Sequence, residues 1–364
     1  MQTRSEFLNV SFSALHRVAQ TACVTLGLVA SATATAQASE TRAVPGRGAS
    51  PTQTSPSAPD ATAVKVIRIA YAVAQNSHYG AGVDAFGREL AELTNNRFRV
   101  EHVPAGKASG ELEILNKVKS GELEMGNTST GPLGNIVPEA KLFDLPFLFS
   151  DYAHARRTLD GKIGQSILEL FPKYGLIGLA WSENGFRHIT NNRRAVIYPA
   201  DLASLKLRTM ENSVHMEALR TLKAQPTPLA FPKLFDALKR GELDGQENPL
   251  PVILASKFSE TQRFLSLTQH FYSPCVLTVS PALWATLNEQ DRYAFKMAAR
   301  AAVRAQRDRV NADEFSALTA LRASGMQINT FVDTNAFRSA LRPAYERMLP
   351  GLNPKIIEEI RTFR

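Results

Sequence analysis

The sequence contains very little cysteine: Cys23 and Cys275 are its two cysteines in 364 residues. Cys23 lies within an N-terminal apolar stretch, which disfavours a lipid anchor there and places it in a segment that we predict to be removed on export. Cys275 would then be alone, and no intrachain disulfide could form. A chain of this length buries enough apolar surface to fold without such cross-links.

Long apolar runs and blocks of like charge are also lacking. Beyond the N-terminal region, no segment is long and apolar enough to cross a bilayer. The formal net charge is +8, yet the basic residues are scattered in pairs such as Arg193-Arg194, with no run of five or six like charges. This distribution is typical of a solvated surface and argues against nucleic acid as a partner.

Signatures of the common enzyme classes are missing as well. The sequence has no Gly-x-Ser-x-Gly, no His-Glu-x-x-His and no Walker loop. None of its seven histidines stands at a metal-ligand spacing from another histidine or a cysteine. The carboxylates of Glu111 and Glu113 are two residues apart on a predicted helix and face different directions. We therefore predict no catalytic residue, no metal site and no cofactor.

What is present at the N-terminus is an export signal. Residues 1–38 combine a positively charged start, a short apolar stretch over 18–30 and two Ala-x-Ala patterns at 34–36 and 36–38, as in secretory signal peptides. Residues 39–63 are rich in Pro, Ser, Thr and Ala, a composition that predicts a disordered linker. We expect a mature protein located in the periplasm.

The apolar pattern alternates between strand and helix from Val64 onward. It predicts strands over 66–71, 98–103 and 123–127, with helices over 79–93 and 111–119. This β-α-β-α-β order is typical of a mostly parallel sheet covered by helices.

A second α/β unit is predicted to begin near Arg187, after a strand over 176–181. It contains a strand over 205–208 and helices over 214–223 and 232–240.

Two further segments have distinctive patterns. Residues 143–149 are dense in aromatics but interrupted by proline, which predicts a buried loop. From Pro281 to about Leu321 an amphipathic pattern continues without glycine or proline, and it predicts a long helix that crosses between two lobes.

The most specific signal lies between Glu183 and Pro274. In order, it reads Asn184-Gly185-Phe186-Arg187, Leu205-Lys206-Leu207-Arg208, Pro226-Thr227-Pro228-Leu229-Ala230-Phe231 and Asp244-Gly245-Gln246-Glu247-Asn248-Pro249. Over about residues 65–345 the chain resembles the substrate-binding proteins of tripartite ATP-independent periplasmic (TRAP) transporters, the DctP-like family. The resemblance implies an α/β fold of the periplasmic-binding-protein type, in which two lobes close over a small organic acid.

The family architecture implies a division of the chain into two lobes. Lobe I takes residues 64–184 and 274–313, and lobe II takes 185–273 and 314–364. Each lobe is a helix-flanked, mostly parallel sheet, and the long helix joins them. The expected function is capture of a carboxylate ligand by a monomer and its delivery to TRAP membrane subunits.

The resemblance also implies which residues bind the carboxylate. Arg208 matches an arginine that forms a bidentate pair with it, a task that suits the planar, permanently charged guanidinium at a strand end. Asn248 matches an asparagine that contacts the same carboxylate. Arg187 matches a second arginine, with a salt bridge at the hinge as its structural alternative, and Phe231 matches an aromatic that packs on the ligand, or else belongs to the core.

Three acidic or polar residues bear on the rest of the ligand. Glu111 and Ser129 match positions that touch its distal part in some family members. Glu211 stands where a smaller polar residue is common, so it either faces a hydroxyl or amine of the ligand or points away.

Other roles remain open for such a chain. It could serve an ATP-driven importer, act as a ligand-sensing partner of a membrane receptor, or be a periplasmic hydrolase or lyase on a similar scaffold. The identity of the organic acid also stays open.

Overall fold

A computed structural model describes residues 64–105, 107, 109–350 and 354–363. The predicted signal peptide, residues 1–38, and the predicted linker, residues 39–63, lie outside the described residues. Among the helices of the described part, none is long and apolar enough to cross a membrane.

Strands of the described chain join in one twisted sheet. Their bounds are β1 Lys65–Ala70, β2 Phe98–Val103, β3 Met125–Ser129, β4 Ile177–Asn191, β5 Lys206–Thr209, β6 Gln225–Pro228, β7 Gly245–Pro249, β8 Phe264–Val279 and β9 Gln327–Asn329. They are ordered β2-β1-β3-β8-β4-β7-β5-β6, with β9 beside β8. We call β2, β1 and β3 the first flank and β7, β5 and β6 the second flank.

Pairing within each flank is largely parallel, as predicted. β1 runs parallel to β2 and β3, and β5 runs parallel to β6 and β7. Between the flanks, β8 pairs antiparallel with β3 and with β4. β4 in turn pairs antiparallel with β7. The two long central strands therefore join two parallel half-sheets into one.

Helices cover the sheet and connect its strands. The α-helices are α1 His78–Leu93, α2 Glu111–Ser120, α3 Thr130–Leu133, α4 Tyr152–Asp160, α5 Lys162–Leu168, α6 Ser213–Thr221, α7 Leu234–Lys239, α8 Leu250–Ala255, α9 Pro281–Thr286, α10 Glu289–Ala323, α11 Thr334–Leu341, α12 Tyr345–Met348 and α13 Pro354–Thr362. Short 3-10 helices are Pro138–Asp144, Phe171–Tyr174, Pro199–Leu202, Phe231–Lys233, Phe258–Glu260 and Arg342–Ala344.

The first predicted β-α-β-α-β unit is confirmed, with one shift. α2 ends at Gly121, whose φ of 83° is the left-handed conformation that glycine adopts without steric cost. The following strand begins at Met125 rather than Leu123, because the Leu123 N–H donates back to the Lys117 carbonyl at 3.1 Å and so closes the helix end.

Aromatic side chains fill the core on both faces of the first flank. Phe86 and Phe98 pack edge-on against Phe295 of α10, with ring centroids 5.8 and 5.4 Å apart. On the opposite face Phe143 packs against Trp181 at 5.2 Å. Residues 143–149 are buried, as predicted, but their first part belongs to the 3-10 helix Pro138–Asp144.

The strand predicted over 176–181 is much longer in the structure. β4 continues to Asn191 because its second half is buried between β7 and β8 and pairs with both. Its register shifts between Glu183 and Gly185, where Gly185 has a φ of 124°. The second half of β4 therefore passes through Arg187, where the sequence predicted a new unit.

The long helix predicted from Pro281 is broken near its start. Asn288 caps α10 through its Oδ1, which accepts from the Asp291 N–H at 2.8 Å. Leu287 before it has an extended backbone and separates α9 from α10. The 35-residue α10 touches both flanks, because Phe295 packs in the core of the first and Leu321 in that of the second.

Candidate functional site

A small, narrow cavity lies between the two flanks. From the first flank and β4 it is lined by Ala72, Val73, Tyr79, Glu111 and Asn184. From the second flank it is lined by Arg208, Met210, Phe231, Asn248 and Val252. Four residues predicted from the sequence thus meet here, although they are distant along the chain.

Arg208 is the buried cation of this cavity. It lies on β5 with 2% of its surface exposed, and its Nε donates to the Leu229 carbonyl at 2.8 Å. Its Nη1 is buried and has no hydrogen-bond partner among the described residues. Burial, followed by repulsion from Arg187, lowers the pKa of Arg208 to about 10. The guanidinium still carries its charge at neutral pH.

Asn248 lies beside Arg208 and is held by two neighbours. Its Oδ1 accepts from Arg187 Nη2 at 3.2 Å, and its Nδ2 donates to Gln246 Oε1. One amide hydrogen of Asn248 is therefore used by the protein, and the other is free to bind a second acceptor.

Arg187 is fully buried and lies behind Asn248 rather than in the cavity wall. Its Nε and Nη2 form a bidentate ion pair with the Glu247 carboxylate, with Nη2 at 2.9 Å from Oε1. Its Nη1 has no hydrogen-bond partner among the described residues. The structure thus contains the salt bridge named as the alternative role of Arg187, and this arginine reaches the cavity through Asn248.

Phe231 and Met210 form the apolar part of the wall. The Phe231 ring lies 5.8 Å from the Arg208 guanidinium carbon and 6.2 Å from the ring of Phe258. Met210 follows β5 and is 4% exposed. Phe231 therefore both lines the cavity and packs against the core.

Glu111 brings a carboxylate to the opposite wall. Its Oε1 accepts from the Ser129 N–H at 2.7 Å, and its Oε2 accepts from the Ser129 hydroxyl at 2.6 Å. Burial raises the pKa of Glu111. Ser129 does not line the cavity but fixes the orientation of the carboxylate that does.

Glu211 is half-buried at the connection between β5 and α6. Its backbone carbonyl accepts from Asn135 Nδ2 at 2.6 Å. It is not among the residues that line the cavity. Its carboxylate nevertheless acts on Arg208 electrostatically and favours the charged guanidinium, so both predicted orientations stay predictions.

Sequence reasoning missed Tyr79 and Asn184 in the cavity wall. Tyr79 lies in the first turn of α1, and its hydroxyl is hydrogen-bonded to Cys275 Sγ at 2.8 Å. Asn184 Oδ1 is 3.1 Å from His78 Nε2. Burial lowers the pKa of His78 to about 4, so its neutral ring can donate to Asn184. The only available signal was that Asn184 opens the most specific motif string.

Two larger depressions on the described surface have a different character. One, of about 600 Å³, lies around residues 238–241 and 259–263, and another, of about 450 Å³, lies between α1 and β2. Neither is lined by a buried charged side chain. The smaller cavity between the flanks is the one with convergent polar groups.

Comparison with known proteins gives one consistent result. Residues 69–350 match the model of the family described as bacterial extracellular solute-binding protein, family 7. A solute-binding protein of Verminephrobacter eiseniae is 42% identical over 302 residues, covering 83% of this chain and 90% of the relative.

Solved structures agree with this match. A TRAP periplasmic solute-binding protein from Polaromonas sp. JS666, bound to D-erythronate, has 48% identity and a TM-score of 0.81, covering 82% of this chain and 98% of that one. Another from Bordetella bronchiseptica, with density interpreted as pantoate, has 39% identity and a TM-score of 0.81, covering 82% and 99%.

These matches confirm the resemblance predicted from the motif string, the two-part α/β fold with its long helix, and the periplasmic location. The matched family is one of binding proteins, which confirms a non-enzymatic role. With most of its length matched by the family model, the chain belongs to the bacterial extracellular solute-binding protein family 7, the periplasmic solute-binding proteins of TRAP transporters.

Proposed function

We propose that this protein captures a short hydroxy monocarboxylate between its two flanks, with Arg208 as the anchor of the carboxylate. The ligand is then delivered to the membrane subunits of a TRAP transporter. The observation that carries the proposal is the buried guanidinium of Arg208, whose Nη1 faces no acceptor among the described residues.

A buried cation without an anion is costly, because it has lost its hydration and gained no counter-charge. Arg187 has such a counter-charge in Glu247. Among the described residues, the hydrogen bond of Arg208 runs from its Nε to a neutral carbonyl. A ligand carboxylate would supply the charge at Arg208, and the free amide hydrogen of Asn248 would add a further bond to it.

The opposite wall favours hydroxyl groups on the ligand. Glu111 offers acceptor oxygens whose orientation Ser129 fixes, and Asn184 contributes an amide whose oxygen is already engaged by His78. A ligand hydroxyl can donate to the Glu111 carboxylate and accept from the Asn184 amide N–H. The ligands named for the two solved relatives, D-erythronate and pantoate, are both hydroxy monocarboxylates, which supports the same class here.

We propose that the binding unit is the monomer. We propose the lobe division 64–184 with 274–313, and 185–273 with 314–364. The register shift of β4 at Glu183/Gly185 falls at the first of these boundaries and supports it as a hinge. Light scattering of the purified protein would test the monomer.

The anchor is tested by calorimetry with a panel of C4 to C6 hydroxy acids, dicarboxylates and keto acids. With the best ligand, Arg208→Ala should weaken binding by about 30-fold or more, since removing one partner of a buried charge pair costs about 2–5 kcal/mol. The affinity of Arg208→Lys should lie between those of wild type and Arg208→Ala, because lysine keeps the charge but lacks the planar guanidinium. Arg220→Ala, on the exposed face of α6, is the control.

Binding by Arg208→Ala within about threefold of wild type would show that the carboxylate is held elsewhere. Delivery is tested separately, by ligand uptake into vesicles that contain the cognate membrane subunits. Uptake that requires ATP would contradict a TRAP partner.

A further inference from the structure

Asn212 makes a buried contact between the two flanks, next to the cavity but outside its wall. It follows β5 and is 1% exposed. Its Nδ2 donates to Asp144 Oδ2 at 2.7 Å and to the Gly131 carbonyl at 3.1 Å. Its Oδ1 accepts from the His215 N–H at 2.9 Å and so caps α6. One side chain thus caps a helix that follows β5 of the second flank. The same side chain binds two acceptors in the segment that follows β3 of the first flank.

Asp144, one of the two acceptors, is also connected to the cavity wall. Asp144 ends the 3-10 helix that follows β3 and α3, and its Oδ1 accepts from the Thr130 hydroxyl at 2.6 Å. Thr130 directly follows Ser129, which holds Glu111 in the opposite cavity wall. On the other side, Asn212 lies two residues after the wall residue Met210. The contact therefore joins the backbone segments that carry both walls.

Charged groups surround Asp144 without replacing this contact. Arg187 of β4 and Glu247 of β7 act on it electrostatically, and His215 Nε2 of α6 is 3.9 Å from its Oδ1. Burial, then repulsion by cations such as Arg187, keeps the pKa of His215 well below its usual value, so the ring is neutral. Burial raises the pKa of Asp144 to about 7. Within hydrogen-bond distance, Asp144 thus relies on the neutral donors Thr130 and Asn212.

We propose that Asn212 and Asp144 form a latch that holds the two flanks closed and thereby slows release of the ligand. They are positioning residues, because neither lines the cavity. The inference rests on the proposed capture of an acid between the flanks. When the flanks separate, both groups must exchange a buried hydrogen bond for water, so the contact favours the closed arrangement.

The sharpest variant is Asn212→Asp. Aspartate is as good an N-cap as asparagine and has nearly the same size, so α6 keeps its start. The amide donor, however, becomes a carboxylate that faces Asp144. At pH 9, above the pKa of about 7 that burial gives Asp144, stopped-flow binding of the best hydroxy acid should show a dissociation rate at least about tenfold faster, with the association rate within about threefold of wild type.

Exchanging the two groups provides the internal control. The double variant Asn212→Asp with Asp144→Asn restores one amide and one carboxylate with their positions swapped. Its dissociation rate should lie between those of the single variant and wild type, because the bond between residues 212 and 144 returns but the donor to the Gly131 carbonyl does not. Asn288→Asp, the same change at the N-cap of α10, should leave both rates within about twofold.

A pH series separates the latch from a merely structural role. In Asn212→Asp, protonation of one of the two facing carboxyl groups restores a hydrogen bond between them. Its dissociation rate should therefore approach that of wild type at pH 5 and depart from it at pH 9. A loss of packing would leave the difference independent of pH.

Each outcome distinguishes the latch from the capture on which it rests. If wild type binds no acid of the panel, the proposed capture fails. If wild type binds but Asn212→Asp releases the ligand at the wild-type rate, or the double variant releases it as fast as the single one, the latch is wrong. Should Asn212→Asp not fold, Asn212→Ser keeps a capping hydroxyl without the amide donor, and faster dissociation is expected there too.

Discussion

At the scale of single residues, the two buried arginines of the motif string have different environments. Arg187 forms an ion pair with Glu247, whereas the partner of Arg208 among the described residues is a neutral backbone carbonyl. Residue type alone would make them equal candidates for a carboxylate. Their neighbours distinguish them, since a guanidinium already paired with a carboxylate has less to gain from a second anion.

Glu111 gives rise to a prediction about selectivity. A ligand anchored at Arg208 by one carboxylate would bring a second carboxylate toward Glu111, and like charges in a buried site repel strongly. Glu111→Gln should therefore raise the affinity for a four-carbon hydroxy dicarboxylate, relative to a hydroxy monocarboxylate, by about tenfold or more. Calorimetry with both ligands measures the ratio.

The matched control is Glu113→Gln on the same helix. Glu113 is exposed and pairs with Lys117, so its removal should leave the ratio unchanged. A ratio that stays constant in Glu111→Gln would mean that Glu111 does not meet the distal end of the ligand.

At the scale of the elements, β4 and β8 decide the architecture. β8 pairs with β3 of the first flank, β4 pairs with β7 of the second, and the two strands pair with each other, with a shift in the register of β4 near its middle. Gly185 lies at that shift with a φ of 124°, which L-residues rarely adopt. A Cβ there would lie 3.0 Å from the Tyr152 hydroxyl oxygen and 3.2 Å from Pro249 Cβ. The backbone angle therefore favours glycine, and a side chain there would also need its neighbours to move by a few tenths of an ångström.

Gly185→Ala should lower the free energy of unfolding by about 2–3 kcal/mol, through backbone strain and steric overlap together. Gly241→Ala separates the two causes. Gly241 has a φ of 70°, but a Cβ added there would have no described heavy atom within 4 Å beyond its chain neighbours, so alanine should cost about 1 kcal/mol. Chemical denaturation measures both. Equal losses would show that the contacts around Gly185 contribute nothing.

At the scale of the whole molecule, the cavity lies between two flanks that are linked by β4, β8 and α10. Links of this kind allow the flanks to rotate about a few residues while each keeps its own core. Lobe closure removes water from the polar groups of the cavity and strengthens their contacts with a ligand.

Small-angle X-ray scattering tests this motion directly. The radius of gyration should be smaller with a saturating hydroxy acid than without it, because the flanks approach each other on binding. Arg208→Ala at the same ligand concentration serves as the control and should keep the larger radius. An unchanged radius in the saturated wild-type protein would contradict closure by a hinge.

Much of the fold could be predicted because local patterns encode it. The periodicity that predicted α1 and the glycine that ends α2 depend on neighbours within a few residues. The start of α10 was missed because Asn288 caps it within a pattern that contains neither glycine nor proline. The motif string was sufficient for the family, because it preserves residue types at fixed spacing.

Four of the seven predicted site residues line the cavity, namely Arg208, Asn248, Phe231 and Glu111. Their roles in binding stay predictions until a ligand is measured. Ser129 and Arg187 lie directly behind this wall, and Glu211 lies outside it. Which side chain faces the cavity depends on how β5, β7 and α2 pack together, and the spacing along the chain does not record that.

The sequence by itself determined the family, the export signal as a prediction, and the β-α-β-α-β order of the first unit, because each depends on residue type and short-range periodicity. Only the tertiary structure decided that β8 and β4 join the two flanks, that Glu247 pairs with Arg187, and that Asn212 binds Asp144. These contacts join residues far apart in the chain, and their energies arise from burial and charge that exist only once the flanks have packed.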